Sequence, residues 1–299
     1  MLWAMPSVAI LPTLLRESLG GRALSREPEP DLVMDGASQV SDYSIAGRIP
    51  GVMAAAYLFH TAHVCQTIFG CSRVFDLGCG PATQLVQVAK RNPQTSFVGI
   101  DLSEPMLEAA RAYALAEGCA NVEFRQGDIT KLDAVDGSVD GIISTMALHH
   151  LPTTELLRGC FREITRVLRA DGAVYLVDFG LLKSLRSIMF FVNQNRPHQA
   201  AHFSLDFELS MKAAFPPGQL RALTEELLPH HVQFYSTFQV PLLNIVKSKD
   251  RPLSPTLYSH FRETRKALPI IFRRQLDDMR AFFWFGGLRN DPFRNRVRT

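Results

Sequence analysis

The sequence predicts an α/β protein: a doubly wound, seven-stranded, mostly parallel sheet with an antiparallel edge strand, plus N-terminal, inserted and C-terminal helices. Three observations carry that reading. The chain has 299 residues, 46% of them apolar and 20% charged, enough to bury one large core and too apolar for a disordered chain. Short apolar runs alternate with helix-length stretches over residues 73–177, the pattern that right-handed crossovers turn into a parallel sheet. Beyond residue 178 the alternation stops, and two more extended runs remain to finish the sheet.

Residues 1–50 read as an N-terminal extension, in which Arg26 to Asp31, with its alternating Glu and Pro, has the composition of a linker. A mostly apolar helix containing Tyr57, His60 and His63 is predicted between Gly51 and Phe69. Arg73–Leu77 is the first strand, followed by a glycine-rich turn and a helix over 82–90. Ser96–Ile100 is the second strand. A helix over 104–117 follows, begun by a Ser103 cap and Pro105 in its first turn. Strands at 121–124 and 139–144 come next. In the helix over 153–168, Leu156, Leu157, Phe161, Ile164 and Leu168 form one stripe. Ala173–Val177 is the fifth strand, with Gly172 in the turn before it. A helical lid insertion is expected around 181–215 and a helix over 218–228. The extended runs 232–237 and 242–246 then pair antiparallel at one sheet edge. The catalytic domain is accordingly set at 51–249, with 250–299 as a basic, aromatic helical extension.

The chemistry concentrates at strand ends. Gly78 and Gly80 follow the first strand directly, where the backbone must turn closely against a ligand. Thr83 breaks the dinucleotide GxGxxG pattern. Asp76, in the strand's last turn, would repel a pyrophosphate but can accept hydrogen bonds from an ammonium group. Asp101 ends the second strand, where a carboxylate suits ribose hydroxyls, and Asp128 follows the third, where one can accept an exocyclic adenine amine.

With these residues in place, the sequence resembles the class I, Rossmann-like S-adenosylmethionine-dependent methyltransferases, in the branch that modifies small molecules. Val74–Ala82 looks like their first motif, Gly99–Ser103 their second, Gly127–Thr130 their third and Ser144–Pro152 their fourth. The resemblance covers residues 50–248 and implies S-adenosyl-L-methionine as cofactor. It implies that Asp76, Gly78, Cys79 and Gly80 border the methionine part and that Asp101, with Leu102, binds the ribose. Asp128 would contact adenine, Ile129 would pack beside the ring, and Ser144 would complete the set. Residues 169–172 read Arg-Ala-Asp-Gly where Lys/Arg-Pro-Gly-Gly is commoner, which leaves Gly172 to make the turn.

The acceptor is expected beyond the first and fourth strands, near Cys79 and residues 144–150. His149, His150 and Asp178 are the candidate catalytic residues, as general base or orienting group. Neighbouring histidines cannot point the same way from a regular element, and the bland alternative is that one packs the following helix. No metal is expected, since strand-end acids and paired histidines occur without one. The helix around Tyr57 and His60, together with residues 181–215, would form a lid over the site, with Phe190, Phe191, Phe203 and Phe207 walling an apolar acceptor or packing the inserted helices. Tyr43 and Arg48 are candidates to close over the cofactor carboxylate. The stretch Ser144–Ala147 lacks the Asn/Asp-Pro-Pro-Tyr/Phe type of sequence of the nucleobase and glutamine methylating branch, which favours a small-molecule acceptor.

Residues 250–299 carry eleven Lys or Arg against five Asp or Glu, whereas the whole chain is only +3, so the remainder is net acidic and unlike a nucleic-acid reader. The extension is expected to pack across the domain, to form a homodimer contact or to lie on an anionic membrane surface. Five unpaired-looking cysteines and the absence of a basic leader and of a membrane-length apolar run point to a cytoplasmic protein. A non-catalytic cofactor-binding or scaffold protein and a nucleotide-dependent oxidoreductase are the alternatives.

Overall fold

The computed structural model describes residues 8–21, 24–30, 36, 40–41, 53–194 and 201–294. Helices α1 (Leu11–Leu19) and α2 (Ala54–Ile68) precede β1 (Arg73–Leu77), α3 (Thr83–Arg91), β2 (Ser96–Asp101), α4 (Glu104–Ala116) and β3 (Val122–Gln126). Then come β4 (Val139–Thr145), α5 (Thr154–Val167), β5 (Leu168–Phe179), α6 (Leu185–Gln194), α7 (Ala201–Ala213) and α8 (Pro217–Leu227). The chain continues through β6 (Gln233–Ser236), β7 (Leu243–Lys247), α9 (Pro255–Ala267) and α10 (Ile270–Phe285).

The seven strands lie in the order β3-β2-β1-β4-β5-β7-β6. β1 to β5 pair in parallel, and β7 runs antiparallel to both β5 and β6. The pair expected at one edge is thus present, with β7 the strand that reverses and β6 outermost. Strand order reverses between β1 and β4, which opens a crevice beyond their carboxyl ends.

Alternation along each strand divides the core into two layers. Val74, Phe97, Ile143 and Tyr175 face α2, α3 and the C-terminal helices, while Phe75, Val98, Ile142 and Val174 face α5 and α8. The Ser103 hydroxyl accepts from the Met106 amide at 3.2 Å, the cap its sequence position suggested. β5 begins earlier than expected: Val139 pairs with Leu168 but Gly141 with Ala173, so residues 169–172 bulge out of register. A Cβ at Gly172 would overlap the Leu168 side chain there, which explains the glycine.

His60 departs from its expected place in the lid. It is fully buried, its Nδ1 lies 2.7 Å from the Tyr175 hydroxyl, and burial pushes its pKa down to about 3. It is therefore a neutral core histidine tying α2 to β5.

The C-terminal extension packs on the domain. Phe283 stacks on Phe59 of α2 with ring centroids 5.3 Å apart, and Phe272, Leu276 and Phe293 are buried with it. Arg280 is turned inward, donating to Asp291 at 2.8 Å and to Asp277 at 2.5 Å. No helix among the described residues is long and apolar enough to cross a membrane. Phe283→Ala should lower the unfolding free energy by about 3–5 kcal/mol in denaturant titrations. Leu115→Ala, at a side chain 84% exposed, should stay within about 0.5 kcal/mol of the parent.

Candidate active site

The turn after β1 is held by its neighbours. The Gly78 and Cys79 amides both donate to the Ile100 carbonyl, at 2.8 and 3.0 Å. Gly78 and Gly80 have φ of +69° and +51°, a region that side chains disfavour. A Cβ on Gly78 would overlap the Cβ of Ala147, so the loops after β1 and β4 touch only because this residue is glycine.

Asp101 fastens this turn to β2. Its Oδ2 accepts from the Gly80 amide at 2.8 Å and its Oδ1 from the Ser103 amide at 2.9 Å. Each oxygen keeps a second lone pair for a ligand hydroxyl. Burial raises the Asp101 pKa, and these amides oppose the rise. Asp76 is only 6% exposed, and burial, aided by the nearby Asp101 charge, pushes its pKa up to about 8. Tyr57, on α2, feels the same carboxylate and is pushed up to about 12 by burial and Asp76.

Cys79 and Leu102 are half-buried beside the turn, and the Leu102 carbonyl accepts from Gln126 Nε2 at 2.9 Å. Asp128 is exposed and its Oδ1 accepts from the Thr130 amide and hydroxyl, both at 2.8 Å, while Ile129 is buried. Ser144 departs from its expected place among the cofactor contacts. It is fully buried, and its hydroxyl donates to the Leu77 carbonyl at 2.7 Å, joining β4 to β1. Tyr43 and Arg48 lie outside the described residues.

On the other side of the crevice, Asp178 is the last residue but one of β5 and is 4% exposed. Its Oδ1 lies 2.6 Å from His149 Nδ1 and accepts from the Phe179 amide at 2.7 Å, while Oδ2 accepts from the His149 amide at 2.9 Å. His149 is 3% exposed; burial works to lower its pKa, but Asp178 outweighs this and the net shift is upward. The two histidines sit on a 3-10 turn, Leu148–His150, not on a regular element. Their rings lie 4.3 Å apart at 35°, so both face the same way, which this irregular turn permits.

What they face comes from the segment that resembled a linker. Glu29 Oε2 lies 2.7 Å from His150 Nδ1, and Glu29 Oε1 lies 3.7 Å from His149 Nε2 while accepting from the Ser210 hydroxyl at 2.7 Å. Burial raises the Glu29 pKa, but the histidines and Ser210 prevail and the carboxyl is held below its ordinary range. Arg26 anchors the segment by donating to the carbonyls of Pro152, Leu151, Ala213 and His149 at 2.5–2.9 Å, with its guanidinium 3.9 Å from the Phe215 ring centre. Arg26 and Glu29 were missed because nothing in an alternating Glu and Pro run marks a charge as buried.

A cavity of about 810 Å³ adjoins both halves. Tyr57 and Met146 border it towards the glycine turn, and His149 and Ser210 give it a polar corner. Phe179, Phe190, Phe191, Phe203 and Phe207 wall it, and Phe207 also packs on Phe179 at 5.4 Å. Gln275, Asp278, Met279 and Phe282 of α10 close one side. The C-terminal extension therefore completes the cavity.

A family profile described as a methyltransferase domain matches residues 74–172. Those residues contain the glycine turn, Asp101, Asp128 and the histidine pair. Over these residues the chain is similar to a methyltransferase domain, and its strand order is that of a Rossmann-like sheet. The chain is 30% identical over 148 residues to an uncharacterized methyltransferase, YcgJ, of Bacillus subtilis (strain 168), covering 50% of this chain and 56% of that one. It is 35% identical over 104 residues to a 2-heptyl-1-hydroxyquinolin-4(1H)-one methyltransferase of Mycobacteroides abscessus, covering 35% of this chain and 44% of that one. The chain thus spans about half the length of these curated relatives. Among solved structures, the plantazolicin methyltransferase BpumL with SAH superposes with a TM-score of 0.54 at 16% identity, covering 88% of this chain and 92% of that one. At that identity the likeness concerns the fold of the methyltransferase domain and its flanking helices.

The contact between the two loops gives a direct test. Gly78→Ala combines strain with overlap and should cost on the order of 2–4 kcal/mol in thermal or chemical unfolding. Gly80→Ala, whose added Cβ would meet nothing within 4 Å, should cost only the left-handed backbone strain, about 1–2 kcal/mol.

Proposed function

We propose that this protein transfers the methyl group of S-adenosylmethionine to a small, largely apolar acceptor carrying one hydroxyl or amine, and that the acceptor occupies the 810 Å³ cavity. The observation that carries the reading is the position of that cavity. It meets the glycine turn at Met146 and Tyr57, is walled by phenylalanines, and has its polar corner at His149 and Ser210. A ring with an apolar substituent suits such a wall. One relative's name, a methyltransferase of a heptyl-substituted hydroxyquinolone, belongs to the same chemical class.

In this reading Asp76 receives the ammonium of the cofactor's methionine part, and Gly78, Cys79 and Gly80 let its chain lie along the turn. Asp101, with Leu102, takes the ribose hydroxyls, and Asp128 and Ile129 hold the adenine. Ser144 supports β1 from behind. The sulfonium is already an excellent leaving group, so the protein's main contribution is in-line alignment of acceptor, methyl and sulfur. The acceptor's proton leaves through the corner that His149 and His150 form with Asp178 behind them.

Calorimetry should detect S-adenosylmethionine and S-adenosylhomocysteine binding and no NAD binding; binding of NAD alone would replace this reading with an oxidoreductase. Asp101→Ala should weaken both sulfur nucleosides by on the order of 30- to 1,000-fold. Affinity should also depend on pH through Asp76. With its pKa raised to about 8, this carboxyl is neutral in the ligand-free protein below that pH, and an ammonium ligand prefers it ionised. Affinity should therefore rise from pH 6 to pH 8, by at most about tenfold per unit, and Asp76→Asn should flatten the profile. His149→Ala should lower turnover by on the order of 10²- to 10⁴-fold with cofactor affinity retained. Unchanged turnover would remove His149 from the chemistry.

A further inference from the structure

Glu29, His149 and His150 present one carboxylate and two imidazoles to a common point, and their ligating atoms all lie within 4.8 Å of one another. Bonds of about 2.0–2.2 Å to a shared ion set ligand separations of about 3–3.7 Å, the range in which His149 Nε2 and Glu29 Oε1 stand at 3.7 Å. Two further features distinguish this cluster from an ordinary ion pair. His149 Nε2 is buried with no hydrogen-bond partner among the described residues, and 3.7 Å is too long for a direct bond to Glu29. His150 Nδ1 is also without one: it lies 2.7 Å from Glu29 Oε2 but out of line for a ring N–H donor.

The atoms behind the cluster fit the same conclusion. Asp178 Oδ1 lies 2.6 Å from His149 Nδ1, which assigns the ring proton to Nδ1 and leaves the Nε2 lone pair facing Glu29 and His150. The Ser210 hydroxyl donates to Glu29 Oε1 at 2.7 Å, holding the carboxylate in turn. Both histidine rings lie on one rigid turn, and Glu29 is delivered by a segment that Arg26 fastens through four carbonyls.

We propose that Glu29, His149 and His150 bind one divalent transition-metal ion of the Zn²⁺, Co²⁺ or Fe²⁺ type. The choice of ion follows from the donors: two imidazoles and a carboxylate suit borderline ions, whereas Mg²⁺ and Ca²⁺ take oxygen ligands. Three protein ligands leave coordination positions open, as in catalytic rather than structural sites. His149 and Ser210 line the cavity, so an open position can take an oxygen of the acceptor. With the ion bound, the two imidazoles hold it instead of taking the acceptor's proton, which passes to water as the ion draws charge from the acceptor oxygen. The ion thus deepens the acceptor assignment made above and rests on it only for that last step.

The test uses the full chain, stripped with a chelator and titrated with Co²⁺ and Zn²⁺ by calorimetry, with Co²⁺ absorption as a readout of its ligands and Mg²⁺ as the hard-ion control. One Co²⁺ or Zn²⁺ per chain should bind, with no comparable Mg²⁺ uptake and with d–d bands for the Co²⁺ form. Glu29→Gln, which keeps shape and loses charge, and His150→Gln should each weaken the ion at least tenfold. Circular dichroism and S-adenosylhomocysteine binding on the same samples show whether the variants fold. Absence of Co²⁺ and Zn²⁺ binding to the parent protein, or binding that folded Glu29→Gln leaves unchanged, overturns the metal site. In either case intact S-adenosylhomocysteine binding leaves the methyltransferase reading standing, whereas its loss in the parent sinks that reading independently.

Discussion

Asp178 stands at the carboxyl end of β5, 4% exposed, and the His149 amide, the His149 ring and the Phe179 amide converge on its two oxygens. A buried carboxylate without such partners would be costly, so the turn after β4 must fold back to supply them. That requirement sets the 3-10 turn at Leu148–His150, and the turn sets both imidazoles facing one side. Glu29, Ser210 and the Arg26 anchor then follow, because the far side of His149 needs a polar neighbour of its own. The polar corner of the cavity thus grows outward from one strand-end carboxylate, and no single loop contains it.

The cofactor end is governed by a different constraint. Asp76 is buried beside Asp101, and its pKa is pushed up to about 8 by that burial, with the Asp101 charge adding to the rise. Asp101 is compensated by the amides of Gly80 and Ser103, so the turn is tied to β2 before any ligand arrives. The Asp76 carboxyl is where a cation brings most relief. The two acids at this turn are therefore unequal: one carboxyl is already held by amides and the other is not.

How much of this was legible in the sequence depended on how local the cause was. The β1 strand, the glycine turn, Asp101 and the Ser103 cap rest on neighbours in sequence, and β1 was read with its observed bounds, Arg73–Leu77. The bulge at 169–172 was hidden because it depends on the register against β4. Ser144 was assigned to the cofactor by its motif, yet its hydroxyl is taken by Leu77 across the strand pair. His60 looked like a lid residue until Tyr175, a hundred residues later, claimed it. Glu29 was the hardest of all. An acid between two prolines reads as solvated, and only the tertiary fold brings it against a histidine turn more than a hundred residues away.

The division has a physical meaning for how such a protein can change. The matched stretch, residues 74–172, contains the glycine turn, Asp76, Asp101, Asp128 and the histidine pair. The rest of the cavity wall is borrowed: Ala9 and Ile10 precede α1, Phe190 and Phe207 come from the inserted helices, and Met279 and Phe282 come from α10. These pieces are held by side-chain packing, such as Phe283 on Phe59, more than by the sheet's hydrogen bonds. Substitutions in them reshape the cavity while leaving the strand ends where they are, because the β1 and β4 turns are locked by Gly78 against Ala147 and by Ser144 against Leu77. The shape of the cavity can therefore drift in the flanking helices at little cost to the strand-end turns. Met146 and His149 belong to both halves, and through Asp178 the position of His149 is set by the sheet itself.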